Sequence, residues 1–276
     1  MQFGRHPIEF TRKLHDSTAL LPALLAPDEP AAWEVERPAG ASPYLLLCDH
    51  AGRRIPRRLG TLGLDEQELH RHIAWDIGAA AVTRRLSTLL DATAVLQPYS
   101  RLVIDCNRPP GSADSIATLS ERTTIPGNAA LSRDDAAQRE TAIFQPYHAQ
   151  IRAVLDARQA RAQPCWLIAM HSFTPVYQDE PRPWHAGLLY HRDARMAQAL
   201  RNLLLREPGL IVGDNEPYSV SDATDVAIPE YGEKRGLPHV ELEIRQDLID
   251  SEAGQQQWAE RLARMLRMME HTPTWL

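Results

Sequence analysis

Apolar and polar positions alternate along most of the chain in short blocks. Apolar runs bounded by turn residues predict strands at 44–48, 93–96, 101–105, 165–170, 186–190, 210–212 and 238–244. Helical periodicity fills the intervals at 65–91, 132–160, 193–206 and 252–270. Leu69, Ile73, Ala80 and Leu86 recur near helical spacing in the first interval, and Asp76 shares that face. Ser132 and Asp135 open the second in the manner of a capping box, and Pro146 is expected to kink or end it. Strands that alternate with helices predict an α/β sandwich around a mixed, mostly parallel sheet. Residues 1–42, rich in Pro and Ala toward their end, read as an irregular lead-in, and 43–276 as a single α/β domain.

In sheets of this kind ligands bind beyond the carboxyl ends of the strands. Four such ends carry polar residues. Asp49 and His50 follow the first run, Asn107 and Arg108 the third, and His171 and Ser172 the fourth. The last run, HVELEIRQDLI, places His239, Glu241, Glu243 and Arg245 on one face by its period of two. One such end is readily a structural feature, but four together predict a site.

His50 and His171 at equivalent strand ends suit a divalent metal that takes imidazole nitrogen. Zinc is the first choice, one per chain, and other divalent ions fit the same donors. A third ligand is expected from Asp76, with Asp49 and Glu241 as competitors, because a carboxylate on a buried face needs a partner. Asp49 is otherwise expected to orient a ligand. His70, His72, His148, His185 and His191 lie in less telling places. Glu241 and Glu243 suggest general-base work. Asn107 and Arg108 before a double proline read as a clamp for an acidic substrate.

Composition narrows the class. The net charge of -6 argues against a nucleic-acid surface. The apolar run from Ala19 to Ala26 is broken by Pro22 and too short to span a bilayer, and no secretory leader is legible. Cys48, Cys106 and Cys165 sit in apolar stretches without a CxxC, which suits buried thiols in a reducing cytoplasm.

The ordered set CDHAGRRIP, AWDIGA, SRLVIDCNRPP, MHSF and HVELEIRQDLI resembles the N-formylglutamate amidohydrolase family over roughly residues 43–270. That resemblance implies a three-layer fold like that of the zinc carboxypeptidases (phosphorylase/hydrolase-like). It also implies a single zinc and hydrolysis of a linear amide in amino-acid metabolism. His50, Asn107-Arg108, His171-Ser172 and Glu243 stand in the carboxypeptidase order. The glutamate ligand expected three residues after the first histidine is replaced by Arg53, which directs attention to Asp76.

The resemblance further implies Glu243 as base and Arg101 at the oxyanion. Asn107, Arg108, Ser172 and Arg245 are expected around a small acidic N-acyl amino acid. NEPYS at 215–219, within a loop reaching 235, reads as a lid, a specificity loop or plain surface. The rivals are a zinc peptidase or deacylase with another substrate, a non-catalytic binding protein on the same fold, and a serine hydrolase at Ser172, which lacks a GxSxG.

Overall fold

The computed structural model describes residues 23–271. Seven strands form the central sheet: β1 (Glu34–Glu36), β2 (Tyr44–Cys48), β3 (Thr93–Leu96), β4 (Trp166–Phe173), β5 (Ala186–Leu189), β6 (Val212–Asp214) and β7 (His239–Arg245). Their order is β1-β3-β2-β4-β7-β5-β6. The pairs β3–β2, β2–β4, β4–β7 and β5–β6 are parallel, whereas β1–β3 and β7–β5 are antiparallel.

Four longer helices, α1 (Ala79–Leu90), α2 (Gln145–Ala160), α3 (Arg195–Leu204) and α4 (Glu252–His271), cover the sheet. Alternate strand residues build two cores. Leu46, Ile168, Met170, Leu242 and Ile244 meet α1, α3 and α4, with Leu86, Leu200 and Leu262 packed against them. Leu45, Leu47, Leu167 and Ala169 meet Tyr147 and Ile151 of α2 together with Leu102 and Ile228. The expected three-layer α/β sandwich with a mixed, mostly parallel sheet is therefore observed. Among the described residues no helix is long and apolar enough to cross a membrane.

The crossovers fix where a site can form. From β2 the chain passes through α1 on one face to β3. It returns through α2 on the opposite face to β4, on the other side of β2. The carboxyl ends of β2 and β4 consequently flank a crevice at the switch point of the sheet.

Several expected elements differ. Residues 102–105 are buried, but 101–105 form a turn, not a strand, because Val103 N–H closes on Ser100 O (3.0 Å) and Arg101 N–H bonds Ala74 O (3.2 Å). The interval 65–91 contains two helices, Glu66–His70 and α1, so Asp76 lies in the link between them, not on a helical face. β4 runs on to Phe173 and contains His171 and Ser172, which were expected beyond its end. Pro146 falls where a π-helical turn, Glu140–Phe144, passes into α2, and the helical path continues through it. Residues 34–36, assigned to the lead-in, form the edge strand β1, while 1–22 lie outside the described residues.

Two glycines permit the close approaches behind the site. A Cβ on Gly52 would stand 2.2 Å from Pro98 O, so the close approach of the two backbones calls for glycine there. Gly78 has φ +80° and would set a Cβ 2.2 Å from Ile249 O. Gly78→Ala is expected to destabilise the fold by about 2 kcal/mol or more, since strain and backbone overlap act together. A urea-unfolding midpoint equal to that of the parent would contradict this packing account.

Candidate active site

β2 delivers Asp49 and His50 to the crevice, β4 delivers His171, and the link before α1 delivers Asp76. The Asp76 N–H bonds His50 O (3.0 Å), which ties the link to the end of β2. The side chains then converge. Asp76 Oδ2 lies 2.8 Å from His171 Nδ1 and 3.3 Å from His50 Nδ1. The ligand atoms of these three buried residues all fall within 4.8 Å of one another. The Ser172 N–H also points at Asp76 Oδ2 (3.3 Å).

Each imidazole is backed on its far side by a carboxylate. His50 Nε2 meets Asp105 Oδ1 at 2.8 Å, and His171 Nε2 faces Asp49 Oδ2 at 3.5 Å. Asp49 is held in turn by the Tyr147 hydroxyl, which donates to Oδ1 at 2.6 Å. Asp105 is held by Arg101, whose Nη2 lies 2.7 Å from Oδ2, while Arg101 Nη1 reaches Asp76 Oδ1 at 3.5 Å. Such outer carboxylates fix the ring orientation and leave Nδ1 as the inward donor.

Charge follows this geometry. Burial alone would raise Asp76, but the imidazoles of His50 and His171 outweigh it and hold the carboxyl well below its usual range. Burial would likewise lower His171, but Asp49 and Asp76 hold it well above. Burial pushes Glu243 up to about 8 and Glu241 up to about 7. The two glutamates share the β7 face that meets this crevice, and Glu243 sits beside His171 in the strand register. Glu243 Oε2 is buried without a hydrogen-bond partner among the described residues. Carboxylates thus outnumber the fixed cations, and two Nδ1 atoms with one carboxylate oxygen meet at a point. That donor set fits a divalent cation with a remaining position open to the cavity.

The cavity over this cluster has a volume of about 460 Å³. Arg101, Arg108, Ser172, Glu241 and Glu243 line it with the three converging residues. Other expected residues are used differently. Asn107 does not line the cavity; its Oδ1 accepts from Val226 and Ala227 N–H (3.1 and 3.0 Å) and so anchors that loop. The Arg245 guanidinium is engaged by Asp247 and by the carbonyls of residues 182–184, away from the cavity. Ser172 Oγ donates to Ile77 O (2.8 Å) and serves the Asp76 link, which removes support for a serine nucleophile. Of the competing third ligands, Asp49 stands behind His171, and Glu241 receives the Asn107 amide at 3.4 Å.

Sequence reasoning missed Tyr177, Thr224 and Asp225 in the cavity wall. The NEPYS stretch was the sole signal, and it does border the cavity through Tyr218 and Ser219.

The family model described as N-formylglutamate amidohydrolase matches residues 42–250. Among solved structures, a gene product of Agrobacterium tumefaciens is 37% identical with a TM-score of 0.85, over 90% of this chain and 99% of that one. The N-formylglutamate amidohydrolase of Ralstonia eutropha has the same fold at 17% identity and a TM-score of 0.65, over 90% and 100% of the two chains. Among curated proteins, none matches the sequence.

If the three converging donors form a metal site, His50→Ala and His171→Ala each lose stoichiometric zinc binding by elemental analysis. Asp105→Asn is expected to weaken affinity by about 10- to 100-fold, as removal of an outer carboxylate does elsewhere. Unchanged zinc stoichiometry in His171→Ala contradicts the assignment.

Proposed function

The chain belongs to the N-formylglutamate amidohydrolase family, and from that premise we propose that it hydrolyses the amide of N-formylglutamate or a closely similar N-acyl amino acid with one divalent metal, zinc by donor type. The observation that carries this reading is the meeting of His50 Nδ1, His171 Nδ1 and Asp76 Oδ2 beneath a buried glutamate pair. These three residues would hold the ion, which when bound supplies Lewis-acid polarisation of the acyl carbonyl and acidification of a water.

The remaining work falls to the chain's own side chains. Glu243 takes a proton from the attacking water and returns it to the nitrogen of the leaving amine. It lines the cavity beside His171 with an oxygen that has no hydrogen-bond partner among the described residues, which leaves it free to accept and give that proton. Arg101 puts positive charge on the cavity wall beside Asp76, where it supports the oxygen that gathers negative charge. Arg108 lines the same cavity and takes the carboxylate of the amino-acid half, with Asn107 holding the loop against which it rests. One water is consumed, and the products are formate, or another carboxylic acid, and the free amino acid. Three buried free thiols suit the reducing cytoplasm, where the reading places the reaction.

Formate release from N-formylglutamate tests the proposal. Glu243→Gln is expected to lower turnover by about 100- to 10,000-fold while bound metal stays at the parent level. Near-normal turnover in that variant removes the base assignment. A parent enzyme that releases no acid from any N-acyl amino acid removes the function.

A further inference from the structure

A dicarboxylate substrate needs a second cation, and the cavity has little left to offer. Arg101 is engaged by Asp105 and Asp76. Arg108 already donates to Thr224 O (2.7 Å) and Asp225 Oδ1 (3.0 Å), and on the reading above it also receives the α-carboxylate. His72 faces Glu121 at 3.5 Å, and burial holds it below its ordinary value.

One guanidinium behind the cavity wall carries no ion pair among the described residues. Arg182 follows the small hairpin formed by Val176–Tyr177 and Glu180–Pro181. Its guanidinium carbon lies 4.6 Å from the ring centroid of Tyr177 and 4.7 Å from that of Tyr218, and both rings line the cavity. Nη1 donates to the Tyr218 hydroxyl at 2.7 Å. No carboxylate stands at ion-pairing distance from Arg182 among the described residues. Stacking on aromatic faces fixes the guanidinium plane without spending its charge, and a planar fork is suited to a carboxylate. Tyr218, which accepts from Arg182, keeps its own proton for the same ligand. The Arg245 guanidinium, bonded to the carbonyls of residues 182–184, steadies the backbone beneath.

We propose that Arg182, with the Tyr218 hydroxyl, is a specificity-determining residue of this site, the one that receives the side-chain carboxylate of an acidic N-acyl amino acid. The inference rests on the amidohydrolase reading.

The test compares kcat/KM for N-formylglutamate and for its neutral isostere N-formylglutamine in the parent, Arg182→Gln and Arg182→Lys proteins. The parent is expected to favour N-formylglutamate by about 10- to 100-fold, the range of a charge-assisted hydrogen bond. Arg182→Gln should bring that ratio near one by loss on N-formylglutamate alone, and Arg182→Lys should restore part of it. A purely structural role lowers both substrates together and leaves the ratio unchanged; that result, or a parent without preference, overturns the proposal. If neither compound is turned over, the choice of acyl group fails, and glutarate binding to the metal-loaded protein by calorimetry decides the Arg182 question. Binding that depends on Arg182 upholds the role, and binding that is absent or indifferent to Arg182 overturns it.

Discussion

The Asp76 carboxylate, buried between two imidazoles and an arginine, is the constraint around which the rest of the site is arranged. An ionised carboxylate at 3% exposure is tolerable only when its lone pairs are met, because an unpaired buried charge costs several kcal/mol. Meeting them requires β2 and β4 to be neighbours, so that His50 and His171 arrive together. It requires the link before α1 to pass close behind, which Gly78 allows. It requires the turn at 100–105 to bring Arg101 and Asp105 inward. The same residues that neutralise Asp76 are themselves neutralised by Asp49 and Asp105, so the cluster behaves as one network whose members are costly to remove singly.

This network divides the cavity into a floor and a rim of different construction. The floor is made by strands and buried turns: Asp76, the histidines and the β7 glutamates. The rim is made by loops: the hairpin before Arg182, the 215–219 stretch and the segment carrying Thr224 and Asp225. Such a division suits a family in which the chemistry is held by the sheet while recognition rests on loops positioned by that scaffold.

How much of this was readable in the sequence varies by residue. β2 and β3 were legible to the residue because strands buried on both faces appear as uninterrupted apolar runs. His50 and His171 were legible because they break such runs. Asp76 was reached by a helical spacing that the structure does not have, and its importance came instead from needing a partner. The run Leu102, Val103, Ile104 looked like a strand because burial, not extension, selects apolar residues, and a buried turn has the same composition. Asn107 was read as facing a ligand when its amide holds Val226 and Ala227, more than a hundred residues away. Arg182 carried no local signal, and Tyr218 stood only within the NEPYS stretch, since their pairing exists only once two distant loops meet over the sheet.

Crystals of the zinc-loaded protein, measured for anomalous scattering at the zinc edge, locate the metal. A single peak per chain is expected, bounded by His50 Nδ1, His171 Nδ1 and an Asp76 oxygen, with Glu243 facing it across the cavity. A peak elsewhere, or one contacted through Nε2 with Asp49 or Asp105 as the acidic ligand, would contradict this placement.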